Sequence, residues 1–223
     1  MLTSRLQNRR RWLRTIAISG SAFLTPGLFA EVLTETAAMA EGPYYPDKMP
    51  LDTDNDLLIV NNSITPAVGE PASLSGRILT AAGQPVRAAI LEIWQCDSKQ
   101  SYLHTKGRGA QMDANFQGYG RFETDSTGRY TFRTIKPISY KLGNTVRCPH
   151  IHMAVSRGGK RILTTELHIE GHPDNTQDGQ LKRITDPKAR ASVMTAFRPV
   201  AGSKLAEYTA SFDVILGRTV EVG

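Results

Sequence analysis

Two histidines separated by one residue, His150 and His152, begin a β-like run, and two tyrosines, Tyr102 and Tyr140, precede them in the chain. Side chains at positions i and i+2 of a β-strand share a face, so both imidazoles can bind one metal ion with little backbone adjustment. Phenolate is a hard anionic donor and imidazole a borderline one, and two of each favour a high-charge iron centre over zinc or magnesium. This set predicts redox chemistry on a small molecule.

Each of these residues also has an ordinary structural interpretation. A tyrosine in an all-β protein is commonly a half-buried core residue whose hydroxyl is hydrogen-bonded. A His-x-His pair can lie on a solvent-facing edge strand, since metal binding is only one of the uses of histidine. Arg147, just before the pair, can equally form a structural salt bridge. We interpret His104, His168 and His172 as residues that do not bind the metal.

Short strands are the elements that must position these side chains. Turn residues such as Thr127-Gly128 and Gly158-Gly159 separate six runs rich in β-branched or aromatic residues. The runs cover residues 74–80, 89–96, 130–135, 151–156, 162–169 and 208–216. This spacing predicts an all-β fold, a β-sandwich with short helices, and residues 191–197 are predicted to form the one short helix of the main body.

The domain organisation follows from composition. The chain has 223 residues, 40% of them hydrophobic, which is enough for one domain with its own core. Proline and aspartate concentrate between residues 41 and 70. We therefore predict an extended N-terminal arm over residues 31–72 and a β-sandwich domain over residues 73–223.

Residues 1–30 have the pattern of a twin-arginine export signal. Residues 8–14 match the signal position by position: a polar residue, two arginines, a variable position, an aromatic residue, a leucine and a basic residue. An interrupted apolar stretch follows over residues 15–30. This stretch is too short for a membrane span, which needs ~18 or more apolar residues, so we expect no stable membrane anchor. Cleavage is expected after Ala30, with Ala40 as the later alternative. An amphipathic helix that stays on the protein is the competing interpretation.

The twin-arginine pattern predicts an exported protein, periplasmic or extracellular, that engages the twin-arginine machinery. That pathway moves proteins that are already folded, often with a cofactor inserted. A metalloprotein loaded in the cytoplasm fits both the signal and the predicted ligands.

The charge of the chain gives no reason to expect a nucleic-acid partner. The formal net charge is +6, but five arginines lie in the first 14 residues, and residues 41–223 carry only +3. Nucleic-acid binders usually present a dense basic face. The two cysteines, Cys96 and Cys148, each lie close in sequence to a predicted ligand. A disulfide between them and two buried free thiols both remain open.

The motifs around the predicted ligands occur in a specific order along the chain. They cover residues 41–46, 93–97, 101–104, 113–121, 124–130, 132–140 and 147–152. Together they resemble the intradiol ring-cleavage dioxygenases, most closely the protocatechuate 3,4-dioxygenase type. The resemblance extends from residue 41 to about residue 172.

This resemblance implies a mononuclear non-haem Fe(III) held by Tyr102, Tyr140, His150 and His152. It also implies that substrate displaces Tyr140 whereas Tyr102 stays bound, and that Arg147 stabilises developing negative charge on the substrate. The implied activity is an intradiol ring-cleavage reaction in which O2 opens a catechol-type ring to a cis,cis-muconate-type dicarboxylate.

Several points stay open at this level. Glu166 occupies a position where relatives carry glutamine, and its effect on hydrogen bonding and substrate choice is not defined. The catechol derivative, any partner subunit and the oligomeric state are also undetermined, and a homo-oligomer formed through residues 41–56 is a hypothesis. The alternatives are an exported, non-catalytic β-sandwich that binds a metal or ligand, and another metalloenzyme, such as a copper oxidase, using the same face.

Overall fold

A computed structural model describes residues 32–217, and most of its regular structure is strand. The predicted export signal, residues 1–30, therefore lies outside the described residues. The strands are β1 (Pro71–Thr80), β2 (Ile90–Trp94), β3 (Tyr119–Glu123), β4 (Arg129–Ile135), β5 (Tyr140–Leu142), β6 (Thr145–Arg147), β7 (His150–Arg157), β8 (Lys160–Ile169), β9 (Met194–Thr195), β10 (Arg198–Pro199), β11 (Tyr208–Ser211) and β12 (Val214–Leu216).

Two five-stranded sheets form a β-sandwich, which confirms the predicted fold class. In the first sheet, the order is β10-β11-β1-β12, and β4 pairs with β1. In the second, it is β3-β2-β7-β8-β9, and β5 and β6 form a separate two-stranded hairpin. Leu74 and Phe132 of the first sheet pack with Leu91, Ile151 and Leu167 of the second in one buried cluster. Burial of this apolar area is the main stabilising contribution to the fold.

Strand β7 lies at the centre of the second sheet, between β2 and β8. Its first six residues are buried, so both faces of the strand are covered. Ile151, Met153 and Val155 belong to the main core. The alternation of a strand places His150 and His152 together on the opposite face, away from that core. The local sequence therefore determines which face carries the two imidazoles.

The predicted helix over residues 191–197 is wrong. The α-helix, α1, spans Pro187–Ala191, and the chain then enters the short strand β9. Asp186 accepts hydrogen bonds from two first-turn backbone N–H groups, and Pro187 is the first helical residue, a combination that favours a helix start. Val193 and Thr195 are β-branched and favour extended backbone after it. No helix in residues 32–217 is long and apolar enough to cross a membrane.

The segment before β1 is irregular but fixed to the sandwich. Thr36 exchanges hydrogen bonds with Ile215 of β12, through its backbone N–H (2.9 Å) and its Oγ1 (2.8 Å). Met39 donates its N–H to the carbonyl of Thr164 in β8, at 2.8 Å. This segment thus contacts a strand of each sheet. Further along, Leu57 is fully buried in the main core.

Candidate metal centre

The structure brings together the four predicted ligands. His150 and His152 point their Nε2 atoms at each other, 3.2 Å apart. The rings of Tyr102 and Tyr140 lie 5.2 Å apart between centroids, Tyr140 is 5.5 Å from His150, and Tyr102 is 6.0 Å from His152. All four side chains are buried. Three separate segments of the chain therefore converge on one point.

The two phenol groups are buried without hydrogen-bond partners among the described residues. Leaving a buried hydroxyl unsatisfied costs about 1–3 kcal/mol, so two of them at one point need an explanation. Burial raises the pKa of Tyr140 to about 12 and that of Tyr102 well above 10. A bound cation would reverse this preference, because coordination deprotonates the phenol and supplies the missing partner. The donor set thus fits a metal ion.

The two imidazoles are prepared as neutral donors. Burial lowers the pKa of His150 to about 4 and that of His152 well below 6.5. The Nδ1 atom of His150 lies 2.6 Å from the carbonyl oxygen of Cys148, which makes Nδ1 the protonated nitrogen and leaves a lone pair on Nε2. Two neutral imidazoles with their Nε2 atoms facing one point are suited to bind one metal ion.

A buried carboxylate organises the loop that carries Tyr102. Asp97 accepts backbone hydrogen bonds from Ser101 (2.8 Å) and Asp113 (2.6 Å), and the N–H of Tyr102 itself bonds to the carbonyl of Gly107 at 2.9 Å. Sequence reasoning did not assign Asp97 a role. An aspartate that follows a strand and bonds to backbone a few residues on is a recognisable turn signal, and could have indicated it.

The hairpin of β5 and β6 positions Tyr140 beside Arg147, since these two residues pair across its open end. Gly143 in its turn has φ = 59°, a conformation that glycine adopts without strain. The guanidinium of Arg147 is buried and makes two ion pairs: Nε donates to Asp178 (2.7 Å) and Nη2 to Glu166 (2.5 Å). Arg147 thus forms structural salt bridges and also lies close to the predicted ligands.

Glu166 lies in contact with three histidines as well as with Arg147. Its Oε1 is 3.6 Å from Nδ1 of His152 and 3.9 Å from Nε2 of His150, and its Oε2 is 3.4 Å from Nε2 of His168. Burial opposes ionisation of Glu166, but the permanently charged Arg147 guanidinium, which donates a hydrogen bond to it, outweighs burial and holds the pKa of the carboxyl well below its usual range. A charged carboxylate is therefore part of the site.

Both cysteines are buried free thiols, so of the two alternatives left open by the sequence the structure contains free thiols and not a disulfide. The sulfur of Cys148 lies 3.2 Å from Nδ1 of His168. These two residues and His150 also bring potential metal-binding atoms within 4.8 Å of one another. That second group shares His150 with the tyrosine–histidine cluster, so the two groups cannot both use this imidazole.

Aromatic rings cover the cluster from the N-terminal segment. Tyr44 packs against Tyr102, with ring centroids 4.9 Å apart, and Tyr45 packs edge-on against Trp94 at 5.0 Å. Trp94 in turn stacks on His152, with a centroid distance of 4.9 Å and an interplanar angle of 2°. The sequence motif at residues 41–46 thus covers the predicted ligands and supports them.

A cavity of about 930 Å³ in the described part of the chain contains none of the predicted ligands. Its walls include Thr36, Lys160, Ile162 and Ile215. These residues belong to the N-terminal segment, β8 and β12. The chemistry of the donor set, rather than cavity size, therefore identifies the candidate site.

Comparison with known proteins places the chain among dioxygenases. A family model described as Dioxygenase matches residues 40–217. The chain is 38% identical over 133 residues to the protocatechuate 3,4-dioxygenase beta chain of Burkholderia cepacia, over 57% of this chain and 55% of that one. It is 26% identical over 175 residues to hydroxyquinol 1,2-dioxygenase of Corynebacterium glutamicum, over 72% of this chain and 52% of that one. The match thus spans about half the length of these relatives.

Solved structures agree with this assignment. The dioxygenase domain of a dioxygenase–carbohydrate-binding protein fusion from Streptomyces sp. SirexAA-E is 27% identical, with a TM-score of 0.59, covering 82% of this chain and 99% of that one. The 3-chlorocatechol 1,2-dioxygenase of Rhodococcus opacus 1CP shares the fold, with a TM-score of 0.65 at 20% identity, over 84% of this chain and 75% of that one. With most of its length matched by the family model, the chain belongs to the intradiol ring-cleavage dioxygenases.

Proposed function

We propose that this protein is a mononuclear non-haem Fe(III) enzyme that uses O2 to cleave a catechol-type ring to a cis,cis-muconate-type dicarboxylate. One observation carries the proposal. Two buried phenols without hydrogen-bond partners in the described chain meet two imidazoles whose Nε2 atoms lie 3.2 Å apart. Membership of the intradiol family supports the same chemistry.

Tyr102, Tyr140, His150 and His152 are the residues that would hold the iron. Two phenolates offset two of the three charges of a ferric ion, and the two neutral imidazoles complete a hard, electron-rich set. When bound, ferric iron supplies a Lewis-acid centre that both oxygens of a diol can chelate.

The chain contributes proton handling and charge stabilisation. Tyr140 would accept a proton from the diol at its phenolate oxygen, a role carried over from the family resemblance. Arg147 presents a fixed positive charge, because Asp178 and Glu166 hold its guanidinium from two sides. A preorganised cation beside the site stabilises negative charge that develops on substrate oxygens. All four donor side chains are buried, so their ligand atoms are shielded from bulk solvent.

We propose further that the substrate diol carries no carboxylate. Arg147, the guanidinium next to the donors, is already shared between the carboxylates of Glu166 and Asp178. Arg161, near residues 41–46 that cover the predicted ligands, pairs with Glu41 and Glu92. In the described part of the chain, an extra carboxylate on the substrate would find both of these guanidinium groups already paired, and a buried carboxylate without a partner is unfavourable.

A visible spectrum of the iron-loaded protein under air tests the activity. We expect a broad tyrosinate-to-iron band that shifts to longer wavelength with catechol and then decays as muconate absorbance grows. Protocatechuate should react more slowly at equal concentration. A protein that stays colourless after ferric loading would refute the iron assignment and favour the non-catalytic binder. A coloured protein that turns over neither diol would refute the proposed reaction but leave the assignment of an iron site intact.

Export through the twin-arginine pathway is a separate proposal, supported by residues 8–14. Replacing Arg9 and Arg10 with lysine keeps the charge but removes the paired arginines that define the signal. We expect the wild-type chain in the exported fraction and the double variant in the cytoplasm of a bacterial host. Equal export of both proteins would contradict the proposal.

A further inference from the structure

Glu166 is placed by the sheet directly beside the predicted metal ligands. It lies on β8 and pairs with His152 of β7 in the register of the two strands. The residue is 1% exposed. A buried carboxylate is costly unless its oxygens are paired, so each of its contacts bears on what the residue does.

The two carboxylate oxygens have different neighbours. Oε2 accepts a hydrogen bond from Arg147 at 2.5 Å and lies 3.4 Å from Nε2 of His168. Oε1 faces the ligand pair, 3.6 Å from Nδ1 of His152. That Nδ1 atom is buried and has no hydrogen-bond partner among the described residues. Oε1 is therefore placed to accept its proton, after a shift of less than about 1 Å to normal hydrogen-bond distance.

The two imidazoles are consequently supported in different ways. His150 has a neutral backbone carbonyl, that of Cys148, at its Nδ1. His152 has a carboxylate at the same position, and its ring is held flat against Trp94, 4.9 Å away. A histidine that donates its second N–H to a carboxylate is a more basic metal ligand than one that donates to a carbonyl. Once this hydrogen bond forms, His152 would be the stronger donor of the pair.

The charges around Arg147 add to this effect. One guanidinium faces two buried carboxylates, Glu166 and Asp178, so this group of three side chains carries a net negative charge. Negative charge in a buried site favours the more highly charged state of a nearby cation. Both the ligand basicity and the fixed charge therefore act in the same direction.

We propose that Glu166 is a positioning residue that accepts the Nδ1 proton of His152, fixes Arg147, and stabilises bound iron in the ferric state. The inference rests on the proposed function, because it concerns the iron held by the four donors. Glu166 itself acts through His152 and Arg147 and does not need to touch the substrate.

The test is the midpoint potential of the iron, measured in the full-length, iron-loaded protein by following the tyrosinate band during stepwise reduction. Glu166→Gln keeps the size of the side chain and removes its charge. We expect a shift to more positive potential and an apparent iron affinity about 10- to 100-fold lower, the range found when such supporting contacts are lost. Glu170→Gln, the same substitution at an exposed residue four positions on, is the matched control and should change neither value.

A second measurement avoids dependence on the folding of the variant. In wild-type protein loaded with Ga(III), a diamagnetic ion of the same charge, the Nδ1–H proton of His152 should give an NMR signal that is protected from solvent exchange. A missing or rapidly exchanging signal would overturn the proposed contact.

The outcomes separate the two proposals. A coloured wild-type protein whose potential is unchanged in Glu166→Gln would overturn the role of Glu166 and leave the proposed function intact. A wild-type protein that shows no tyrosinate band after ferric loading would overturn both.

Discussion

Replacing Asp178 with asparagine should destabilise the fold by about 3–5 kcal/mol, the range for breaking a buried ion pair on one side. Asp178 is fully buried, and its Oδ2 accepts hydrogen bonds from Nε of Arg147 (2.7 Å) and N–H of Cys148 (3.0 Å). Its Oδ1 accepts from the N–H of Gln180 and that of Leu181, at 2.8 and 2.9 Å. An asparagine amide keeps one acceptor oxygen and points an N–H₂ group at two donors.

The magnitude can also be derived from the pKa of Asp178. Burial opposes its ionisation, but the hydrogen bonds from Leu181 and Arg147 outweigh burial and lower the pKa from 3.8 to about 2. A difference of this size corresponds to roughly 2–3 kcal/mol of stability from the charge. The unsatisfied buried donors left by asparagine add about 1–3 kcal/mol. The sum of the charge contribution and the cost of the unsatisfied donors is similar to the roughly 3–5 kcal/mol expected for breaking a buried ion pair on one side.

The sign of the pH dependence follows from the same shift. Because the folded-state pKa is the lower one, the charge contribution is complete above pH 3.8 and is lost as pH falls toward 2. The difference between the wild type and the variant should therefore be constant from pH 8 to about 5 and should shrink below 3.8.

Urea unfolding of the metal-free proteins, followed by far-UV circular dichroism, measures this difference. With a slope of about 2–3 kcal/mol per molar urea, the midpoint should fall by about 1–2 M at pH 7. Asp213→Asn is the control: its pair with Arg77 has side chains 36% and 50% exposed, and such pairs contribute under about 1 kcal/mol. A loss below 1 kcal/mol for Asp178→Asn, or a difference that widens below pH 3.8, would refute the reasoning.

Three further substitutions test other parts of the structure. Tyr102→Phe removes a predicted phenolate ligand and should abolish most of the visible absorbance after ferric loading; an unchanged spectrum would exclude Tyr102 as a ligand. Gly76→Ala would place a Cβ 1.8 Å from the carbonyl oxygen of Phe212, so we expect the free energy of unfolding to fall by more than about 3 kcal/mol. Thermal unfolding measures this change, and a variant with the wild-type melting temperature would contradict the close packing at this strand. Tyr130→Phe deletes a buried hydrogen bond of 2.5 Å to the same carbonyl and should cost about 1–2 kcal/mol by urea unfolding, with no change in the iron spectrum.

The parts of the site that depend on local geometry were predictable from the sequence. His150 and His152 share a face because a strand alternates with period two, and no tertiary information is needed for that statement. The convergence of Tyr102 and Tyr140 on them depends on a loop and a hairpin. Periodicity gives no information about such long-range contacts, so residue types could suggest the set, and only the family resemblance implies that all four residues hold one iron ion.

Long-range electrostatic contacts explain most of what was missed. Asp178 lies in a run rich in polar residues and glycine that reads as an exposed turn, yet it is buried against Arg147. Glu166 was noted only as a departure from relatives, and its contacts with His152 and Arg147 emerge only when β8 pairs with β7. The helix over 191–197 failed because the capping signal at Asp186 lies upstream of the apolar residues that suggested it.

The short stretch around Thr36 and Met39 has a consequence for how the chain is matured. Its hydrogen bonds reach Ile215 on one sheet and Thr164 on the other, so it acts as a clip across the edge of the sandwich. If the chain is translocated already folded, cleavage after Ala40 would require the hydrogen bonds of Thr36 and Met39 to the domain to break. Cleavage after Ala30 would leave these hydrogen bonds in place. If the protein is exported, N-terminal sequencing of the exported form should therefore find residues 36–39 retained.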